Sequence, residues 1–216
     1  MPPSIFLDAL AASPIVAEVG SWVLRSACRE AGEWRGLASN KIFVGVNLFQ
    51  SQIADPELPE EIDAMLAETG FPADLLELEI SENFTLENDE EICRSLTALR
   101  AAGVGLALDD LGTGRASLTQ VAKLPVSCLK IDQSFVRQMV PGGRDAVLVE
   151  ALVALAHKLG MQVIAEGVET EAQAKILSVS SCDRVQGYFF GRPMPSVEFR
   201  ALIGHEQFPV LAAAAG

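Results

Sequence analysis

Acidic and amide side chains recur at the ends of short apolar runs in this chain. Asn47 follows Phe43-Val44-Gly45-Val46, Glu79 stands in Leu78-Glu79-Ile80-Ser81-Glu82, and Asp109-Asp110 follow Leu106-Ala107-Leu108. Lys130 and Asp132 close the next run, Glu166 follows Val163-Ile164-Ala165, and Gln186 ends the last. In barrels of parallel strands the C-terminal strand ends share one mouth, where active sites are built. Folding would therefore gather at least four carboxylates, two amides and one lysine on a single rim. Without cations such a ring costs on the order of several kcal/mol in repulsion and desolvation. Hard divalent ions remove that cost, and oxygen donors without thiolate or imidazole suit Mg²⁺ or Mn²⁺ better than zinc.

Adjacent aspartates at a strand end can bridge two metals about 4 Å apart, a pair that activates water and clamps a phosphoryl group for in-line displacement. A single strand-end carboxylate is more often a helix cap or a surface group, but six suitable strand ends weaken that reading. Lys130 either orients the attacking water and neutralises phosphate charge, or forms a structural salt bridge; the sequence leaves both open. Gly112-Thr113-Gly114 is not a P-loop, since no Gly-Lys-Ser/Thr follows, and reads as a flexible turn that holds the aspartates. The two histidines, His157 on a helix and His205 near the tail, read as surface or helix-end residues.

Strands and helices that alternate along the chain must position these residues. Strands are expected over 42–48, 75–80, 104–109, 127–131, 162–165 and 184–186, and helices over 16–31, 59–69, 87–102, 116–123, 144–159 and 171–179. Gly70, Gly103 and Gly160 stand just past helical patterns, where a left-handed residue is wanted, and Thr170 suits an N-cap. Alternation of this kind indicates parallel βαβ units, and runs apolar on both faces suit strands covered on both sides. A (β/α)₈ barrel fits better than an open sheet, although six strands are counted where eight are needed. Residues 209–216 read as a frayed tail.

Composition narrows the partners. Half of the 216 residues are hydrophobic and 21% are charged, which suits one globular domain. The net charge is −13 and no two Lys or Arg residues are adjacent, so polymeric nucleic acid and anionic membranes are not expected partners. No apolar run approaches the roughly 20 residues that span a bilayer, and the N-terminus lacks a basic signal-like region. These features suggest a cytoplasmic location, of the whole protein or of the cytoplasmic portion of a larger signalling protein. Cys28, Cys93, Cys128 and Cys182 are far apart, without a CxxC or a nearby His pair, and read as reduced thiols.

The motifs Val46-Asn47-Leu48, Glu79-Ile80-Ser81-Glu82, Asp109-Asp110-Leu111-Gly112-Thr113-Gly114, Lys130-Ile131-Asp132, Glu166-Gly167-Val168-Glu169 and Gln186-Gly187-Tyr188 resemble, in order, those of the EAL family of cyclic di-GMP phosphodiesterases. The similarity runs from Gly20-Ser21-Trp22-Val23-Leu24 to Gly191-Arg192-Pro193. It implies a TIM-like (β/α)₈ barrel that hydrolyses cyclic di-GMP to linear pGpG with two Mg²⁺ or Mn²⁺ ions. Asn47, Glu79, Asp109, Asp110 and Glu166 match the family's metal ligands, and Lys130 matches the lysine near the nucleophilic water. Lys130, Glu166 and Glu82 are the expected catalytic group, with Glu82 steadying the loop after the aspartates. Gln186, Asp132 and Gly112 are the expected substrate contacts. Leu111 stands where the family usually has Phe, Phe49 where it usually has Ser, and Arg115 replaces a common aromatic.

The resemblance also implies two further strands, with the Glu-Ala-Leu segment and its arginine, ahead of the stretch beginning near Pro3. The 216 residues would then be an N-terminally truncated EAL domain, and without that segment the chain alone is expected to be a poor phosphodiesterase. The alternative is an inactive EAL module that serves as a cyclic di-GMP receptor or a protein-interaction domain. The helix 144–159, apolar nearly all round, suggests a homodimer contact there and at 116–123.

Overall fold

The computed structural model describes residues 3–37, 41–81, 90–111 and 121–203. The expected tail at 209–216, most of the expected helix 116–123, and Glu82, Gly112 and Arg115 lie outside the described residues. Six strands, β1 (Val44–Asn47), β2 (Leu76–Ser81), β3 (Gly105–Leu111), β4 (Cys128–Ile131), β5 (Gln162–Ala165) and β6 (Arg184–Val185), follow one another in chain order across the sheet. Every pairing whose register is described is parallel. The expected α/β class and all six expected strands are present, each within two residues of its expected limits.

The chain divides into two compact units. The first holds β1, β2 and the opening of β3 as far as Leu106. Its helix Val16–Trp34 buries Val16, Gly20, Leu24, Cys28 and Ala31, a spacing of three to four residues that makes one stripe. That helix packs on β1 and on the helix Leu58–Thr69, which in turn packs on the helix Glu90–Ala101. Leu76, Leu78 and Ile80 of β2 are essentially inaccessible, and each such side chain contributes about 1.5–3 kcal/mol by leaving water. β2 is buried on both faces, as a covered parallel strand must be.

The second unit holds β3 from Ala107 onward and β4 to β6. Its long helix Arg144–Lys158 packs on β4, β5 and the helices Gln133–Arg137 and Glu171–Val179. The helix buries Ala146, Val149, Val153 and Ala156, while Val147 and Leu148 are exposed. It is therefore apolar on two faces, one of which meets the sheet. Gly70, Gly103 and Gly160 take the positive φ expected just past helix ends. Thr170 caps the helix Glu171–Val179 by accepting a hydrogen bond from the Gln173 N–H. Short helices at Gln50–Ile53, Gln133–Arg137 and Ser196–Ile203 were not expected from periodicity, which needs more residues than they offer. No helix among the described residues is long and apolar enough to cross a membrane.

Candidate functional site

In the first unit, register decides which side chains share a face. Gly45 pairs with Glu77 and Asn47 with Glu79, so these four positions alternate with the apolar row of Leu76, Leu78 and Ile80. Glu77 and Glu79 are only 7% and 8% exposed, an expensive setting for two carboxylates, whereas Asn47 is exposed. Gly45 makes the arrangement possible. A Cβ built there would collide with Oε1 of Glu79, so the missing side chain is the space in which the carboxylate lies. Sequence reasoning passed over Gly45, although a glycine inside a strand pattern is itself a sign of close approach.

In the second unit the expected residues come together. Ala107, Cys128 and Ile164 form a buried apolar cluster contributed by β3, β4 and β5. Two residues further along each chain segment stand Asp109, Lys130 and Glu166. The Lys130 Nζ lies 3.2 Å from Oδ1 of Asp109 and 2.7 Å from Oε1 of Glu166. Lys130 is 4% exposed and its two carboxylate partners 15% and 21%, so the ammonium is nearly dehydrated and depends on both. The salt bridge left open by the sequence is present, and it joins residues expected in the site.

β3 departs from a regular ladder at the aspartates. Leu108 pairs with Leu129 and Leu111 with Ile131, so Asp109 and Asp110 together oppose the single residue Lys130. In an unbroken strand consecutive residues face opposite sides, and a bulge re-aims them. The side chain of Asp110 lies outside the described residues, as do Glu82 and Gly112.

The segment after β5 is tied on both sides. The Glu166 N–H donates to the Ile131 carbonyl at 3.0 Å, and the Val168 N–H donates to the Gln186 carbonyl at 3.0 Å. Gly167 has φ of 69°, and a Cβ there would strike Gln133, so the turn sits against the start of the helix Gln133–Arg137. Gln186 is exposed beyond β6, and its N–H donates to the Ala165 carbonyl at 2.8 Å. Asp132, an expected substrate contact, is the N-cap of the helix Gln133–Arg137, where Oδ1 accepts from the Ser134 N–H at 2.9 Å.

Among the described residues no three His, Cys, Asp or Glu side chains gather into a ready metal cage. Asp109 and Glu166 instead share the Lys130 ammonium. Their chemistry still fits a hard cation, because the donors are oxygens. His157 is bonded to Asp183 at 2.8 Å, in keeping with its expected helix-end role.

Parallel strands alternating with helices, with carboxylates and a lysine at strand ends, define the barrel class of α/β proteins that carry their chemistry on that rim. The chain belongs to the EAL domain family, whose model matches residues 1–193. It is similar to the oxygen sensor protein DosP of Escherichia coli, 36% identical over 92% of this chain and 25% of that protein. It is also similar to the cyclic di-GMP phosphodiesterase NbdA of Pseudomonas aeruginosa, 36% identical over 89% of this chain and 25% of that protein. The chain thus spans about a quarter of the length of these curated relatives. Its fold superimposes on the PaMucR phosphodiesterase in complex with c-di-GMP, with a TM-score of 0.83 and 35% identity over 92% of this chain and 81% of that one. The manganese and cyclic di-GMP complex of Klebsiella pneumoniae BlrP1 gives a TM-score of 0.77 at 26% identity over 90% of this chain and 49% of that one.

Proposed function

We propose that this chain is the catalytic domain of a cyclic di-GMP phosphodiesterase, which hydrolyses one phosphodiester bond of the ring to give linear pGpG. The observation that carries the reading is the Asp109–Lys130–Glu166 array at the C-terminal ends of adjacent parallel strands, in a chain of the EAL family. Asn47, Glu79, Asp109, Asp110 and Glu166 are the proposed ligands of two divalent ions, Mg²⁺ or Mn²⁺. When bound, such ions lower the pKa of water and neutralise charge on the phosphoryl oxygens.

The chain's own groups do the rest. Lys130, fixed between two carboxylates, presents a donor that orients the attacking water and offsets charge developing on the phosphate. Glu166 holds that ammonium in place. Water adds its oxygen to phosphorus, the bond from phosphorus to the ribose 3′ oxygen breaks, and the departing oxygen takes up a proton. Gln186, exposed at the end of β6, and Gly112 are proposed substrate contacts, with Glu82 steadying the segment after the aspartates. Asp132 would contact substrate through Oδ2, because Oδ1 is engaged in the cap.

A second messenger as substrate would be met in the cytoplasm, by a cytoplasmic protein or by the cytoplasmic portion of a larger signalling protein. The helix Arg144–Lys158, with Val147 and Leu148 exposed, together with the segment 116–123, is the proposed homodimer contact. Light scattering at tens of micromolar tests it, and a monomer there would remove it. The activity is tested by incubating cyclic di-GMP and Mn²⁺ with the 216 residues, alone and preceded by the Glu-Ala-Leu segment that the resemblance implies, and following pGpG by chromatography. Turnover that disappears in Asp109→Asn supports the reading. Tight binding of cyclic di-GMP with no turnover in either form would replace it with the receptor alternative.

A further inference from the structure

Gln173 stands in the first turn of the helix Glu171–Val179, 7% exposed, and its side chain makes three hydrogen bonds. Its Oε1 accepts from the Glu169 N–H at 2.8 Å and from the Thr170 N–H at 2.9 Å. Its Nε2 donates to the Val136 carbonyl at 3.1 Å. The first two bonds are local: they complete a capping box, a device that by itself contributes about 1 kcal/mol to a helix. The third is not local. It crosses 37 residues of sequence to the helix Gln133–Arg137, an element that capping does not involve.

The two segments joined this way are those that carry the site. The helix Gln133–Arg137 begins at Asp132, two residues after Lys130, and the Glu169–Thr170 peptide follows Glu166 in the turn after β5. Gly167 rests against Gln133 within the same junction. An amide can serve here because it offers an acceptor and a donor on one planar group. Glutamate keeps the acceptors but loses the donor, and leucine keeps the volume but makes none of the bonds.

We propose that Gln173 is a positioning residue for the Lys130–Glu166 pair. Its amide fixes the turn after β5 against the helix after β4 and so sets the separation of ammonium and carboxylate. This role rests on the phosphodiesterase reading, in which that separation orients the nucleophile, and geometry of this kind controls rate strongly. It predicts an effect on turnover rather than on substrate affinity, because Gln173 is buried behind the strand ends.

The test compares Gln173→Leu and Gln173→Glu with Arg137→Ala, whose exposed contact with Glu169 spans 3.9 Å and serves as the control. Amide exchange at Glu169 and Thr170 and the Lys130 ammonium resonance are followed by NMR. The kcat and KM for cyclic di-GMP are measured well below the melting temperature with the Glu-Ala-Leu segment preceding the 216 residues. In Gln173→Leu, exchange at both amides rises more than tenfold, the Lys130 resonance shifts, and kcat falls ten- to a hundredfold with KM within twofold. Gln173→Glu keeps the amide protection yet loses part of kcat, and Arg137→Ala matches the wild type. A lowered Tm with unchanged kcat per folded molecule would reduce Gln173 to a helix cap and overturn the proposal. If Gln173→Leu does not fold, an unchanged kcat in Gln173→Glu does the same. If the wild type does not turn over even when preceded by the Glu-Ala-Leu segment, the phosphodiesterase reading fails, and an unchanged Lys130 resonance in either variant overturns the clamp independently.

Discussion

The Lys130 ammonium lies 2.7 Å from the Glu166 carboxylate, across the gap between β4 and the turn that follows β5. With Asp109 on its other side, Lys130 supplies the positive charge that two partly desolvated carboxylates need. Lys130→Met removes that charge and leaves the carboxylates facing each other. Loss of one partner from a fully buried pair costs about 3–5 kcal/mol, and the residual exposure of Asp109 and Glu166 brings the expectation down to roughly 2. Mn²⁺ should then raise the melting temperature of the variant more than that of the wild type, because the metal replaces the lost cation. Calorimetry with and without Mn²⁺ measures both effects, and a variant as stable as the wild type and indifferent to Mn²⁺ would contradict them.

Gly45→Ala puts a methyl group where the Glu79 carboxylate now lies. The carboxylate has to move, at a cost of about 1–3 kcal/mol for overpacking. If Glu79 is a metal ligand, Mn²⁺ affinity falls as well, by about tenfold or more, the usual effect of misplacing a ligand. Isothermal titration with Mn²⁺ separates the two: a stability loss with wild-type affinity would take Glu79 out of the metal assignment.

Asp183 accepts at Oδ2 from the Val163 N–H and bonds the His157 Nε2, each at 2.8 Å, pinning the start of β5 to the end of the helix Arg144–Lys158. Asp183→Ala leaves the Val163 amide without this acceptor and should cost about 1–3 kcal/mol. The change lies at the opposite end of β5 from Glu166, so Mn²⁺ affinity should be unaffected. Urea unfolding and Mn²⁺ titration of the same variant test both halves of the expectation.

Burial pushes the thiol of Cys28 up from 9.0 to about 11. Between those pH values the unfolded chain loses the proton and the folded chain keeps it. Stability is therefore fully present below pH 9 and is lost as pH rises toward 11. Cys28 is inaccessible in the folded chain, so its share is roughly 2 kcal/mol at the upper limit. Urea midpoints at pH values on either side of this window should fall with pH, and Cys28→Ala should show a smaller fall. An identical fall in both proteins would assign the effect to other groups.

The fold was largely legible because its signals are periodic or punctuated. Apolar runs such as Leu106-Ala107-Leu108 announce covered strands, and Gly70, Gly103 and Gly160 mark helix ends by a backbone conformation that other residues avoid. Residue type and order also pointed to Asp109, Lys130 and Glu166, which the structure brings together. What stayed hidden was the side-chain logic between elements. Lys130 remained ambiguous because a salt bridge and a catalytic ammonium have the same sequence signature. Asp132 looked like a strand-end ligand, and its cap became visible only with the short helix behind it. Gln173 carried a signal that went unread, since Thr170-x-x-Gln173 is a capping pattern, but its bond to Val136 depends on tertiary packing alone.

The two-for-one count in β3 has a further consequence for how such a chain tolerates insertions and deletions. Removing the single codon for Asp110 would leave Ala107, Leu108, Asp109 and Leu111 opposite Cys128, Leu129, Lys130 and Ile131 in unbroken succession. Ordinary one-residue deletions in a strand throw every later side chain to the wrong face. This one would repair the ladder and remove only a carboxylate. Folding and the second aspartate are thus separable at the level of one codon, and a lineage could shed that aspartate through a single in-frame event with the strand register intact.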